Sequence, residues 1–380
     1  MNVHEPPARI LHVVTLVTPD GTFGGVVRVA FNLAAELRVR GHDVIVAGSA
    51  RGYKPIPKAL NGIPVRLWRG RKVMPFGGHL GITAPALFLW MWRNRREIDI
   101  VHVHMGRDMV TLPAAVLALL LRKHVVLQTH GMVIDSHHWF APLLDRILTR
   151  PVLRRADTVL FLNEAEHRGL TGVCDHARLR QLHNGVPRSP HPSRDSAPHD
   201  APEFLYLARL HENKRPKLFV EAAGVLLGQG HSASFALVGT DQGEGANVRD
   251  AIARLGEHAT KVRWEGSLTL DATLDRMRRA SVYVLPSVYD PFPMAVLEAM
   301  SVGLPVVVTS SNGLAGIVAE RGCGIVVDDS HQSLVEAMRD LLVNPDLRMD
   351  MSRAAATAAH ELFSMDVIGD KLLDVYQHSC

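Results

Sequence analysis

The sequence predicts an α/β protein of two doubly wound parallel-sheet domains facing each other across a cleft. Three observations predict it. Short runs rich in β-branched residues alternate with longer amphipathic stretches, as parallel strands joined by crossover helices do. A proline-rich segment interrupts the alternation near mid-chain. The length, 380 residues, exceeds one comfortable core and suits two of roughly 150 to 200 residues.

Strands are expected at Ile10–Leu16, Asp43–Ala47, Ile100–Val103, His124–Gln128 and Thr158–Leu162, placing a first domain over residues 1–190. From Pro187 to Pro202 the prolines and polar residues oppose both helix and strand, so 191–202 is expected to be a linker. A second series follows at Phe204–Ala208, Ser234–Val238, Val262–Trp264, Val282–Leu285, Val306–Thr309 and Gly324–Val327, within a second domain over 203–363. In such open sheets ligands bind beyond the carboxyl ends of the strands, so functional residues are sought just after strands.

Bulk properties narrow the class. Cys174, Cys323 and Cys380 form no CxxC pair, so neither a disulfide framework nor a zinc site is expected. The polar start, Met1 to Arg9, lacks the apolar core of a signal peptide. Val110 to Leu121 is the longest apolar run, contains Pro113 and falls short of the ~20 residues a membrane span needs. A cytoplasmic protein is expected. Residues 1–195 hold 26 Lys and Arg against 14 Asp and Glu, the remainder 16 against 24. The basic half suggests an anionic partner such as a membrane surface, or simply solvated arginines. Tryptophan and arginine combine in Arg66–Lys72 and Leu87–Arg96, a composition suited to peripheral contact with the inner membrane face, with apolar core packing the alternative.

Candidate site residues follow from position. After the first strand, Gly24 and Gly25 open a helix patterned by Val26, Val29, Ala30 and Leu33, where glycines let backbone N–H groups approach an anion. After the first strand of the second domain, Arg209 and Lys214 suit a diphosphate leaving group, whose charge grows as a glycosidic bond breaks. The richest stretch runs from Leu285 to Thr309. Its turn carries Asp290, and a helix starts near Pro293, so the N–H groups of Met294 and Ala295 form a phosphate site. Glu298 lies a turn further on, within reach of a ribose hydroxyl pair. His130 follows the strand His124–Gln128 and can hydrogen-bond a sugar hydroxyl or tune local charge. His102, His104, His137 and His138 are read as structural or surface residues, with no metal-cluster spacing. No Asp-x-Asp stands at a strand end, so no catalytic metal is expected.

These stretches together resemble the retaining glycosyltransferases of the GT-B fold, two Rossmann-like domains, and specifically family 4 (glycosyltransferase group 1), over nearly the whole chain. The strongest likeness is Asp290 to Glu298 with the residues up to Val307, similar to the family's Glu-x7-Glu signature. Gly24-Gly25, Thr129-His130-Gly131, Asn184-Gly185-Val186, Arg209 to Lys214 and the ending Phe363 to Tyr376 support it. The resemblance implies that Arg209 and Lys214 neutralise the donor diphosphate, Glu298 holds the ribose, Asp290 contacts the donor sugar and Gly25 lies against the diphosphate. His130 matches the active-site histidine. Backbone near Gly239 and the loop after Trp264 would meet the base, and Phe292 would line the donor site. A closing helix, 364–380, would cross back onto the first domain.

The family implies a hexose-type sugar moved from a nucleotide-diphosphate sugar to a lipid-linked, glycan or small-molecule acceptor. Polysaccharide or glycoconjugate synthesis for a bacterial cell envelope is the setting implied, with the anomeric configuration retained and no metal. The nucleotide-sugar is substrate, so no cofactor is expected. Two departures stand out. Asp290 replaces the usual Glu, and Pro291-Phe292-Pro293 replaces Gly-Phe-Gly, which shortens one side chain and removes two N–H donors. The rival expectation is a catalytically silent relative that binds nucleotide or carbohydrate for regulation. An epimerase or sugar phosphorylase shares the fold and is separated by acceptor dependence. No zinc finger or RNP-like motif appears, so no nucleic-acid partner is expected.

Overall fold

In this computed structural model, residues 7–19, 24–73, 81–133, 141–188 and 201–378 are described. Backbone contacts divide the chain into two units, Met1–Gly185 with Met365–Cys380, and Val186–Ser364. The chain leaves the first unit after Gly185 rather than at 190, and residues 191–200 of the expected linker lie outside the described residues.

The first unit contains strands β1 (Arg9–Val17), β2 (Asp43–Ala50), β3 (Ala59–Leu60), β4 (Ile63–Arg69), β5 (Arg71–Lys72), β6 (Ile82–Thr83), β7 (Ile100–His104), β8 (His124–Gln128), β9 (Thr158–Phe161) and β10 (Leu179–Gln181). Eight of them form one sheet in the order β10-β9-β8-β7-β1-β2-β4-β3. It is parallel except at β3 and β4. Central β1 buries Ile10 through Val14 without alternation, because both of its faces are covered. Near the edge, β4 alternates instead, with Ile63, Val65 and Leu67 buried and Arg66 and Arg69 exposed.

The helix Gly24–Val39 buries Val29, Ala30, Leu33, Ala34 and Leu37, a stripe at helical spacing. Each fully buried valine or leucine contributes roughly 1.5 to 3 kcal/mol. The stripe meets β1, β2 and the helix Met365–His378. That closing helix buries Ile368, Leu372, Val375 and Tyr376 within the first unit.

The tryptophan-rich stretches divide between core and surface. In the helix Pro85–Arg93, Leu87 and Met91 are buried, and Trp90 packs against Trp68 with ring centroids 5.8 Å apart. Leu89 and Trp92 remain exposed at 46% and 50%. Core packing therefore accounts for Trp68, Leu87, Trp90 and Met91. No described helix is long and apolar enough to cross a membrane. Cys174 and Cys323 are buried and unbridged, while Cys380 lies outside the described residues.

In the second unit are β11 (Glu203–Leu207), β12 (Ser234–Val238), β13 (Val262–Trp264), β14 (Val282–Leu285), β15 (Val306–Thr309) and β16 (Gly324–Val327). They form a parallel sheet ordered β13-β12-β11-β14-β15-β16. In both sheets the first strand of the unit lies inside, so strand order reverses beside it: between β1 and β7 in one unit, between β11 and β14 in the other. In open parallel sheets such a reversal is where loops from the carboxyl ends of the strands diverge and a ligand can bind.

Candidate active site

In the second unit the charged candidates leave the two strands that flank its switch point. Residues Ala208 to Lys214 follow β11, and Pro286 to Pro293 follow β14. The two loops are fastened together. Val288 N donates to Asn213 O at 2.9 Å, and Lys214 Nζ donates to Asp290 Oδ2 in an ion pair whose side chains are 18% and 10% exposed. Ser287 Oγ also donates to Asp290 Oδ2, at 3.4 Å, and Gly313 N donates to the Asp290 carbonyl at 2.8 Å.

Arg209 is exposed, and its Nη1 donates to Gln242 Oε1 at 3.1 Å. Beneath it, the buried Tyr206 hydroxyl donates to Arg209 O at 3.2 Å, and that of Tyr283 donates to Leu207 O at 2.9 Å. Burial pushes both phenols up, so they remain donors. Gly239 lies against the same segment. A Cβ there would stand 1.9 Å from Ala208 O, and its φ is +155°, so both close approach and backbone conformation require glycine. Trp264 Nε1 donates to Gly239 O at 3.1 Å.

The helix after β14 spans Met294–Ser301, with Pro293 as its N-cap residue in an extended conformation and no side-chain cap. Pro293 thus precedes the first turn instead of opening it. Val296 N bonds back to Pro293 O at 3.1 Å, while the N–H groups of Met294 and Ala295, first-turn groups, have no intrahelical acceptor. A helix N-terminus of this kind favours a nearby anion by about 0.3 to 1 kcal/mol. Glu298 is 4% exposed on this helix, and Phe292 is buried edge-on against Phe363, centroids 6.0 Å apart. Toward a ligand, Phe292 offers backbone more than ring.

In the first unit, Gly24 opens its helix and Gly25 follows, exposed, with no described residue within 4 Å of where a Cβ would stand. Residues 20–23 lie outside the described residues, as do His137 and His138. His130 sits at φ 52° beside Gly131 at φ 75°, a left-handed pair that Glu166 holds in place. The Glu166 carboxylate, 3% exposed, accepts from Thr129 Oγ1 at 2.6 Å, from Gly131 N, and from Leu162 N at 2.7 Å. Burial, and then repulsion from His102, push the His130 pKa down to about 3. At neutral pH the ring hydrogen-bonds as a neutral group, which fits contact with a sugar hydroxyl rather than tuning of charge.

Behind His130 stand His12, His102 and His104, all fully buried. Neither His102 nor His104 is therefore a surface residue. Sequence reasoning also passed over His12 and Glu166. The signal available was weak: an alternating His-x-His on a strand, and a glutamate in the first turn of the helix Glu164–Val173.

Two family models divide the chain between them. The one described as "Glycosyl transferases group 1" matches residues 189–358, and that of "Glycosyltransferase Family 4" matches 23–190. The chain belongs to the group 1, family 4 glycosyltransferases. This glycosyltransferase is 25% identical to an alpha-D-kanosaminyltransferase of Streptomyces kanamyceticus, over 85% of this chain and 86% of that one. It is 24% identical to a D-inositol 3-phosphate glycosyltransferase of Nocardioides sp., covering 97% and 88%. Its fold matches that of Anabaena Alr3699/HepE, solved with UDP and glucose, with a TM-score of 0.75 at 18% identity over 97% and 99% of the two chains. The fold is GT-B.

Proposed function

We propose that this glycosyltransferase moves a hexose-type sugar from a nucleotide-diphosphate sugar to a lipid-linked, glycan or small-molecule acceptor in bacterial glycoconjugate synthesis, retaining the anomeric configuration without a metal. One observation carries the proposal: two cations and a helix N-terminus leave the strands that flank the switch point of the second unit. The UDP bound by HepE supports a nucleotide donor.

Arg209, Lys214 and the Met294 and Ala295 N–H groups would meet the diphosphate, whose charge rises as the bond to the sugar breaks. Lys214 holds Asp290 in this structure. A diphosphate carries more charge than one carboxylate and would draw Lys214 away, leaving Asp290 to accept from a sugar hydroxyl. Glu298, Gly239 and the Phe292 backbone would line the rest of the donor site. Gly24 and Gly25 would admit the diphosphate, and His130 would bond the sugar. Acceptance of the acceptor's proton by a donor phosphate oxygen needs no protein base.

The test is a panel of nucleotide-sugars and acceptors with the purified chain in chelator, the anomer read by NMR. Transfer with retention is expected. Inversion, or dependence on added metal, overturns the mechanism, and no transfer from any donor favours the silent relative.

A further inference from the structure

His12, His102, His104 and His130 form a stack in the first unit whose geometry comes from strand register. His12 of β1 is the pairing partner of His102 of β7. His104, two residues on, shares a sheet face with His102 because side chains alternate. The rings are nearly parallel: centroids lie 4.6 Å apart for His12 and His102, 4.8 Å for His102 and His104, and 5.1 Å for His104 and His130, with interplanar angles of 19°, 15° and 12°. From the closing helix, the Tyr376 hydroxyl bonds His102 Nδ1 at 2.8 Å.

Ligand nitrogens of His12, His102 and His104 lie within 4.8 Å of one another. A shared metal ion would need about 2.0 to 2.1 Å to each nitrogen, along a lone pair in the ring plane, and the ring nitrogens of His12, His104 and His130 instead face one another edge to edge within hydrogen-bond distance. His12 Nδ1 lies 3.0 Å from His104 Nε2, and His104 Nδ1 lies 2.8 Å from His130 Nε2. The result is a three-ring chain, His12 to His104 to His130.

Burial pushes the pKa of every ring in the stack below its ordinary value. At neutral pH each ring is neutral, with one N–H donor and one acceptor nitrogen. Only two proton arrangements then satisfy both hydrogen bonds. In one, His12 Nδ1–H donates to His104, His104 Nδ1–H donates to His130, and His130 carries its proton on Nδ1. In the other every bond is reversed, so His12 carries its proton on Nε2. The buried His12 Nε2 atom has no hydrogen-bond partner among the described residues, and a buried unpaired N–H is less tolerated than a bare acceptor. The first arrangement is therefore favoured.

We infer that His12 and His104 are positioning residues that set His130 as its Nδ1–H tautomer, so that the outermost ring presents a neutral N–H donor to a substrate oxygen. The anchored Thr129-His130-Gly131 turn fixes where that ring sits, and the chain behind it fixes which nitrogen donates. That the oxygen belongs to a sugar rests on the transferase reading. The tautomer does not.

The experiment is a long-range proton–nitrogen correlation spectrum of the full chain labelled with 15N-histidine at neutral pH, His130 being assigned by its loss in His130→Gln. A protonated Nδ1 and bare Nε2 on His130 are expected in the wild type. His104→Gln, whose amide can still donate, should keep that tautomer, and His104→Leu should lose it. With an active donor, kcat of His104→Leu should fall by about tenfold, the worth of one hydrogen bond, while nucleoside diphosphate affinity stays unchanged and His104→Gln recovers most of the rate. A proton on His130 Nε2 in the wild type overturns the inference, as does an unchanged tautomer in folded His104→Leu. Should that variant not fold, the wild-type spectrum decides. A protonated Nδ1 without transfer from any donor supports the tautomer and overturns the function proposed above.

Discussion

Residues 1–195 carry twelve more basic than acidic side chains, yet the polar centre of the first unit is a stack of neutral histidines. The later residues carry eight more acidic than basic ones, yet the candidate site of the second unit is headed by Arg209 and Lys214. Bulk charge describes the solvated face: Arg66, Arg69, Arg71, Lys72, Arg93 and Arg96 are all exposed. Site chemistry follows position at strand ends instead. There the second unit places full charges that a diphosphate can neutralise, and the first places hydrogen-bonding groups whose direction is set by neighbours.

The contrast can be broken most decisively at the cations. Arg209→Ala or Lys214→Ala should each cost about 2.7 to 4 kcal/mol in transition-state stabilisation, as losing one preorganised charge-stabilising donor does. Unchanged kcat/KM in both variants removes the phosphate assignment. In the first unit, His130→Ala should lower kcat by about tenfold and leave nucleoside diphosphate binding intact. The reverse pattern would place His130 on the nucleoside diphosphate instead of the sugar.

The glycines sharpen the same contrast. Gly239→Ala drives a Cβ into Ala208 O, so it should lower stability by about 1 to 3 kcal/mol in thermal unfolding and displace Arg209. An unchanged Tm would mean that the loop yields freely.

Acidification should separate the units further. A histidine with a lowered folded pKa is bare in the folded state while the unfolded chain takes up a proton. Its contribution is fully present above the unfolded value of 6.5 and falls as pH drops toward the folded value, about 3 for His102. The loss is up to about 1.4 kcal/mol per pH unit for each such buried group. Hydrogen exchange between pH 6.5 and 4.5 should show the first unit loosening before the second. In the second unit the lowered carboxylates, Glu265 beside Arg276 and Asp328 at about 2, lose their contribution only at lower pH. Simultaneous loosening contradicts the neutral-stack account.

Gly25→Ala should have the smallest effect on folding. Its Cβ meets none of the described residues, and alanine favours helix over glycine by about 0.5 to 1 kcal/mol. A Tm that holds or rises while donor turnover falls would mark ligand, not chain, as the reason for this glycine.

Much of this was legible from residue order. Strands such as His124–Gln128 and Val306–Thr309 are buried on both sides and read as apolar runs. Leu179–Gln181 was missed because two of its three residues are exposed and it pairs only at a sheet edge. Arg66 to Arg69 looked interfacial, since composition does not reveal that Trp68 turns inward onto Trp90. Arg209, Lys214 and Asp290 stand out as candidates in the sequence because they lie in the loops that follow strands. The histidine chain was not, because His12 and His104 meet only through the pairing of β1 with β7. That is a long-range register which local pattern does not carry. Glu166 likewise reaches the His130 turn across sequence, and its own helix gives an ordinary first-turn acid.

The most direct test of the central claim is isothermal titration of the full chain with UDP, GDP, ADP and TDP, alongside Arg209→Ala. One nucleotide should bind clearly best, and the variant should weaken it by about ten- to a hundredfold, the worth of a charge-assisted hydrogen bond. Binding of none, or equal binding by the variant, would contradict a diphosphate site built on Arg209, Lys214 and the helix at Met294.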